Sequence, residues 1–360
     1  MKLCFLGDAG SIHTQRWVSF FAQRGHEVHL ISFKECYLPN VKLHQLKHFP
    51  WAISILKRFI SAFQVKKAIK KINPDIVHTH YVTDYGFYGA FSDIHPLVIT
   101  AWGSDILISP NKSKIDNYIV RYALKRADLI TCDSEKVMKT AALYCDTPKK
   151  IFVIQWGVDL NLFKRLNSQL KTSDHTVLST RSFEPIYNID TIIEAVPYVI
   201  DRFPETNFIL KNGYGKGESQ LRELAKQLNV LQNINIVNEL VEYNEMPKFL
   251  NDADIFISVP SSDSSSVSLQ EAMACSLPVI VSDLPANREW ITDGWNGYIV
   301  PVRDPKALAN KIIKLLENKE ERDLFGKRNM ELITERADHE KHMLKMEELY
   351  ESLLLKSKIR

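Results

Sequence analysis

Apolar residues recur along this chain in short runs that alternate with longer stretches of helical spacing. In the first half the runs predict strands over 3–6, 28–32, 76–79, 97–100, 129–132 and 151–154. The first closes at Gly7, and the 7–14 loop leads into a helix that ends at Arg24-Gly25-His26, where Gly25 suits a helix C-terminus. The second half repeats the alternation. Strands are expected over 177–180, 207–211, 234–237, 254–259 and 278–282, with helices over 188–203, 218–228 and 243–251 between them. Strands alternating with helices imply parallel sheets covered by helices on both faces. Two such series in 360 residues imply two domains. Gly157-Val158-Asp159 and the polar stretch 167–174 read as the connection between them. A charged helix is expected over 337–355.

Composition changes this picture little. A content of 45% hydrophobic and 25% charged residues is ordinary for a globular chain. No run of eighteen apolar residues predicts a membrane span, and the Met1-to-Asp8 segment reads as a first strand, not a signal peptide. The five cysteines, at 4, 36, 132, 145 and 275, have no metal-ligand spacing and read as reduced thiols of a cytoplasmic protein. A net charge of +3 does not point to nucleic acid. Its distribution is more informative. From Val41 to Pro74 there is no acid, while eight lysines and arginines are interleaved with Trp51, Phe59 and Phe63. This predicts a basic amphipathic helix suited to the surface of an anionic membrane, or a solvated basic face on a packed helix.

The chemistry is concentrated between Ser261 and Asp283. There the chain reads Ser-Ser-Asp-Ser-Ser-Ser-Val-Ser-Leu-Gln-Glu-Ala-Met-Ala-Cys-Ser-Leu-Pro-Val-Ile-Val-Ser-Asp. Asp263 and Glu271 flank a small polar run that opens a helix near Val267, and short side chains such as Ser266 let a ligand approach the backbone. Free N–H groups and the positive end of the helix dipole suit a phosphate there, and the two carboxylates can accept hydrogen bonds from sugar hydroxyls. The 7–14 loop, with Gly10, Ser11 and His13, follows the first strand and so faces a ligand crevice in any doubly wound sheet; it is not Gly-x-Gly-x-x-Gly, which disfavours a nicotinamide dinucleotide. His13 suits substrate contact or proton transfer. His78 and His80 end another strand and lack a third metal ligand nearby in sequence.

The 261–283 string, above all Glu271-Ala272-Met273-Ala274-Cys275-Ser276-Leu277-Pro278-Val279-Ile280, resembles the donor-site segment of retaining glycosyltransferases of family four (glycosyl transferases group 1). The resemblance implies an α/β chain of GT-B fold, two Rossmann-like doubly wound domains facing a central cleft. It places the acceptor-side domain at 1–165, the nucleotide-sugar domain at 166–336, and a helix at 337–360 that packs back on the first domain. It implies a metal-independent, hexosyltransferase-type enzyme in surface polysaccharide or glycolipid synthesis. The donor is a nucleotide-diphosphate sugar, no cofactor is needed, and the acceptor is a hydroxyl compound, with lipid-linked compounds included. The protein would be cytoplasmic and peripheral on the inner membrane face.

Residue by residue, the resemblance gives Glu271 the ribose hydroxyls and Asp263 the hydroxyls of the transferred sugar. Arg181, the backbone at Ser266 and Val267, and the loop at Gly10 and Ser11 would meet the diphosphate, and the backbone at Leu240 the base. Three departures stand out. The family's first acid is usually Glu and is Asp263 here, and the usual loop glycines are serines, so that Ser266 is expected to need an unusual backbone angle. Trp102 stands where the family has a sugar-contacting His, as a platform for the sugar or as core, with Asp105 beside it. Arg181 is not followed five residues later by Lys, since Ile186 is there; Lys211 is the candidate replacement. These departures keep open a non-catalytic nucleotide-sugar-binding or scaffold protein, and a GT-B epimerase, as alternatives.

Overall fold

Branched and aliphatic runs, each closed by Gly, Asp, Ser or Asn, form the strands of the computed structural model, which describes residues 1–47, 54–147, 150–166, 175–212, 217–239 and 241–359. In the first sheet these are β1 (Lys2–Leu6), β2 (Glu27–Ser32), β3 (Val41–Gln45), β4 (Ile76–His80), β5 (Leu97–Ala101), β6 (Leu129–Cys132) and β7 (Ile151–Val153). All pair in parallel, in the order β3-β2-β1-β4-β5-β6-β7. The helices between them are α1 (Ile12–Gln23), α2 (Ser54–Ile72), α3 (Phe87–Ser92), α4 (Ser104–Leu107), α5 (Lys114–Arg126) and α6 (Glu135–Ala142). The central strands β4 and β5 are buried at every residue, as parallel strands covered on both faces must be.

The second sheet contains β8 (Thr176–Ser179), β9 (Asn207–Asn212), β10 (Ile234–Asn238), β11 (Ile255–Ser258), β12 (Val279–Ser282) and β13 (Gly297–Val300), in the order β10-β9-β8-β11-β12-β13. Its helices are α7 (Ile189–Ile200), α8 (Glu218–Gln227), α9 (Met246–Asp252), α10 (Val267–Ala274), α11 (Pro305–Glu317) and α12 (Lys319–Arg336), and α13 (His339–Ile359) closes the chain. Both sheets reverse their winding beside the first strand, between β1 and β4 and between β8 and β11. Loops leaving the carboxyl ends of those neighbours diverge and open a ligand crevice. The fold alone therefore brings the loops after β8 and β11 together.

The compact units are Met1–Trp156 with Lys341–Arg360, and Gly157–Glu340. Near the second unit's two ends, Val158 N–H donates to Ala337 O at 2.7 Å and His339 N–H to Val158 O at 3.0 Å. Gly157 has a positive φ of 65°, and a Cβ there would lie 2.7 Å from His339 backbone atoms, so a side chain is excluded on both counts. From Lys341 on, α13 belongs to the first unit. Glu347 pairs with Arg24 at 2.7 Å, and the fully buried Tyr350 hydroxyl meets His78 Nδ1.

The acid-free stretch is not one helix. Its first part, Val41–Gln45, is the exposed edge strand β3, and helix begins at α2. Ala62, Val65 and Ile69 of α2 are fully buried, whereas Leu56, Phe59 and Phe63 remain exposed, the last at 61%. Trp51 and the 167–174 stretch lie outside the described residues. Strand β13 was not expected either. It is four residues long, and Gly297 is required because a Cβ would come 2.7 Å from Val279 O.

Candidate active site

Arg181 follows β8 by two residues and so emerges at the carboxyl end of its sheet, next to the serine loop after β11. Its Nη2 donates to Asp263 Oδ2 at 2.8 Å, and its Nη1 to Ser268 Oγ at 3.1 Å and to Ser266 Oγ. The guanidinium carbon sits 4.3 Å from the centroid of the Tyr187 ring, a cation–π contact that fixes its plane. Arg181 is buried, and a guanidinium has five N–H donors, so this network orients the cation without using every donor.

Ser266 is the N-cap of α10 and accepts from Leu269 N–H at 3.3 Å. Its φ of −68° and ψ of 111° are ordinary extended values, so the expected need for an unusual angle there is corrected: serine serves as well as glycine. The left-handed residue of this segment is Ser276, at φ 57°, after the helix. The loop is anchored from behind. Ser265 Oγ accepts from Gln270 Nε2 at 2.6 Å and from Trp290 Nε1 at 3.1 Å, and all three residues are buried. Glu271 lies on α10 with the rest of its helix face buried, one turn past Val267.

Lys211, the candidate replacement for the missing clamp lysine, is held by backbone carbonyls. Its ammonium donates to Asn212 O at 3.0 Å and to Glu239 O, and stands 5.8 Å from the Phe249 ring centroid. Burial lowers its pKa, opposed by the Glu239 charge. It ties the exits of β9 and β10 together, where Leu240, Gly213 and Gly215 lie outside the described residues. The triplet Asp252-Ala253-Asp254 resembles a metal-binding spacing but sits at the entry of β11, the opposite end of the sheet from Arg181, where Asp254 accepts from Thr176 N–H at 2.9 Å. Among the described residues no group of three or more His, Cys, Asp or Glu is placed to hold a metal ion.

In the first unit, Gly10 N–H donates to Asp8 Oδ1 at 2.8 Å, and Asp8 pairs with Lys34 at 3.0 Å. Ser11 is the N-cap residue of α1, in extended conformation, and among the described residues its side chain makes no capping bond. His13 and His80 share a cluster with three tryptophans. The His13 ring is 5.8 Å from Trp102 and 5.2 Å from Trp156, and His80 is 5.7 Å from each and 5.2 Å from Trp17. Burial lowers the His13 pKa to about 4, with Arg16 adding to it, and the His80 pKa to about 3, with His13 adding to it. Both are neutral at pH 7, and His13 Nδ1 and His80 Nε2 have no hydrogen-bond partner among the described residues. Asp105, by contrast, is fully used by the backbone. It accepts from Trp102 N–H at 3.0 Å and Val82 N–H at 2.8 Å, and burial raises its pKa to about 6 despite these bonds. It shapes the loop that presents Trp102. Sequence gave no sign of Tyr187, Ser268 or Trp156 in these clusters, beyond the place of Tyr187 next to the missing lysine.

Arg181, on the loop after β8, thus meets Asp263 and the capped start of α10, on the loop after β11, at the switch point of the second sheet, and comparison with known proteins gives the class. Residues 2–134 match the family described as glycosyl transferase 4-like, and residues 163–331 match glycosyl transferases group 1. The chain belongs to this glycosyltransferase family and has the GT-B fold. It is 27% identical to an uncharacterized glycosyltransferase of Methanocaldococcus jannaschii, over 91% of this chain and 90% of that one. It is 22% identical to the N-acetyl-alpha-D-glucosaminyl L-malate synthase of Bacillus anthracis, over 97% and 95%. Among solved structures, Anabaena HepE in complex with UDP and glucose superposes with a TM-score of 0.83 at 17% identity, covering 98% of this chain and 100% of that one.

Proposed function

We propose that this glycosyltransferase moves a hexosyl group from a nucleoside-diphosphate sugar to a hydroxyl acceptor, with retention of anomeric configuration and no metal. The observation that carries this is the Arg181–Asp263–Ser266 cluster at the winding reversal of the second sheet, with Glu271 on the helix that Ser266 caps. A complex of UDP and glucose with HepE supports a uridine donor.

In this reading Glu271 accepts from the ribose hydroxyls and Asp263 from hydroxyls of the sugar. The bond from the anomeric carbon to the diphosphate oxygen breaks with its electron pair on the diphosphate. Arg181 and the N-terminus of α10 stabilise that charge, and such fixed dipoles and cations supply the main rate term. The acceptor oxygen attacks the same face, and its proton passes to the leaving phosphate oxygen. The products are a glycoside and a nucleoside diphosphate. Double displacement needs a carboxylate beneath the anomeric carbon, and Asp263 is already committed to Arg181.

The setting we infer is glycoconjugate synthesis, surface polysaccharide or glycolipid, at the cytoplasmic membrane face. No helix among the described residues is long and apolar enough to cross a membrane. The basic residues of α2 and its exposed Leu56, Phe59 and Phe63 support reversible surface binding. Calorimetry with UDP-glucose and Glu271→Ala tests the donor site. Loss of a charged acceptor costs about 1.5–3 kcal/mol, roughly 10- to 150-fold in affinity. A folded variant with unchanged affinity refutes the site, and absence of nucleoside diphosphate release with any of a panel of nucleotide sugars favours the binding-protein alternative.

A further inference from the structure

The cation of the serine-loop cluster is neutralised from within the chain. Arg181 Nη2 donates to Asp263 Oδ2 at 2.8 Å, and the two side chains are only 10% and 13% exposed. Solvent and salt screen such a pair far less than one on the surface. Both partners are also held from outside the pair. The Tyr187 ring centroid lies 4.3 Å from the guanidinium carbon, and Arg181 Nη1 donates to Ser268 Oγ at 3.1 Å and to Ser266 Oγ. On the other side, Ser264 N–H donates to Asp263 Oδ1 at 3.0 Å, so the carboxylate is fixed at both oxygens. The chain itself therefore supplies the counter-charge to the cation that it offers a diphosphate.

The hydrogen-bonding capacity left over decides what can join this pair. A guanidinium has five N–H groups, and Asp263, Ser266 and Ser268 take three of them. An ionised carboxylate has about four acceptor positions, and Arg181 and Ser264 take two. A ligand anion drawn to Arg181 thus meets Asp263 as well. A nucleoside diphosphate, with its ribose hydroxyls on Glu271, brings only further negative charge to that place. It must either draw Arg181 off Asp263 or lie beside a carboxylate of like charge where screening is weak. A nucleoside-diphosphate sugar brings hydroxyl donors too. These fill the remaining positions of Asp263 with charge-assisted hydrogen bonds while Arg181 stays in place.

We propose that Asp263 is a specificity-determining residue that separates substrate from product: its pairing with Arg181 weakens the hold on nucleoside diphosphate, and hydroxyls of the transferred sugar offset that penalty for the intact donor. Once the sugar has left, the penalty returns and speeds release of the nucleotide. This rests on the donor-site reading above.

The experiment is calorimetric titration of the full-length wild type, Asp263→Asn and Asp263→Glu. The probes are UDP, UDP-glucose, UDP-N-acetylglucosamine, GDP and GDP-mannose, and the comparison is between the nucleotide sugar that binds most tightly and its own nucleoside diphosphate. Asp263→Asn keeps the shape and removes the charge. It should tighten the nucleoside diphosphate about tenfold and the nucleotide sugar by less, so that the preference for the sugar-bearing ligand shrinks. A merely structural role would weaken both ligands. Asp263→Glu keeps the charge and should keep the nucleoside diphosphate weak. The proposal alone falls if a folded Asp263→Asn protein binds the nucleoside diphosphate no more tightly than the wild type, or gains equally for both ligands. It falls without any variant if the wild type holds the nucleoside diphosphate as tightly as the nucleotide sugar. If no probe binds the wild type, or if Glu271→Ala leaves binding unchanged, the donor-site reading fails and takes this proposal with it, so the two failures are told apart.

Discussion

Ser265→Ala removes one oxygen on which two buried donors converge. Gln270 Nε2, at 2.6 Å, and Trp290 Nε1, at 3.1 Å, both point at Ser265 Oγ, and Gln270 is fully buried. An abandoned buried donor costs about 1–3 kcal/mol, so two of them, with some relaxation, cost about 2–4 kcal/mol. The second unit, Gly157–Glu340, is of a size at which each kcal/mol moves the melting temperature by about 2–4 °C, which gives a fall of about 4–16 °C. Calorimetric melting of the wild type and variant reads this directly. A thermodynamic cycle isolates the cause: Trp290→Phe removes one donor along with its need for a partner, so the double variant should be more stable than the sum of the singles by at least about 1 kcal/mol. Strict additivity, or a Ser265→Ala protein that melts with the wild type, would refute the anchoring of the serine loop.

Arg181→Ala should lower turnover more than donor affinity, because charge on the diphosphate grows as the bond breaks; equal losses in kcat/KM and binding would remove its transition-state role. Burial lowers the pKa of His13 to about 4, of His80 to about 3, and of His78 well below its ordinary value. The unfolded chain therefore binds more protons below pH 6.5, so stability is full above that value and falls toward pH 4, with a slope of up to about 4 kcal/mol per pH unit for three groups. Urea melts with equal midpoints at pH 7 and pH 5 would contradict this. Co-sedimentation with anionic vesicles at low salt, lost at high salt or with neutral lipid, is expected from the lysines of α2, and a protein left in the supernatant would refute surface binding.

The cluster around the serine loop was legible because its candidate residues are close together in sequence. Asp263, the cap at Ser266 and Glu271 lie within nine consecutive residues, and the short strands around them are plain aliphatic runs. Arg181 was legible as a residue but not as a partner. That it meets Asp263 follows from β8 and β11 being neighbours, a fact of sheet order and not of sequence spacing. For Lys211, charge and proximity in sequence suggested a ligand contact, and its two backbone-carbonyl partners were not legible, because the Glu239 carbonyl reaches it only through the pairing of β9 with β10. Strand β3 was hidden by its own lysine and histidine. An edge strand needs only one apolar face, and the alternation of Val41 and Leu43 with Lys42 and His44 was submerged in the basic stretch that follows.

Tyr350 has a consequence for how this chain is made. Its ring lies against Phe21 and His78, fully buried in the first unit, yet it is encoded after the whole second unit. During translation the first unit must wait with that site open while Gly157–Glu340 is synthesised, roughly 10–40 s at about 5–20 residues per second. The second unit, uninterrupted in sequence, can finish first. The nascent first unit is the stage exposed to chaperones and to aggregation, and a fusion or nick between the units and α13 would strand it there.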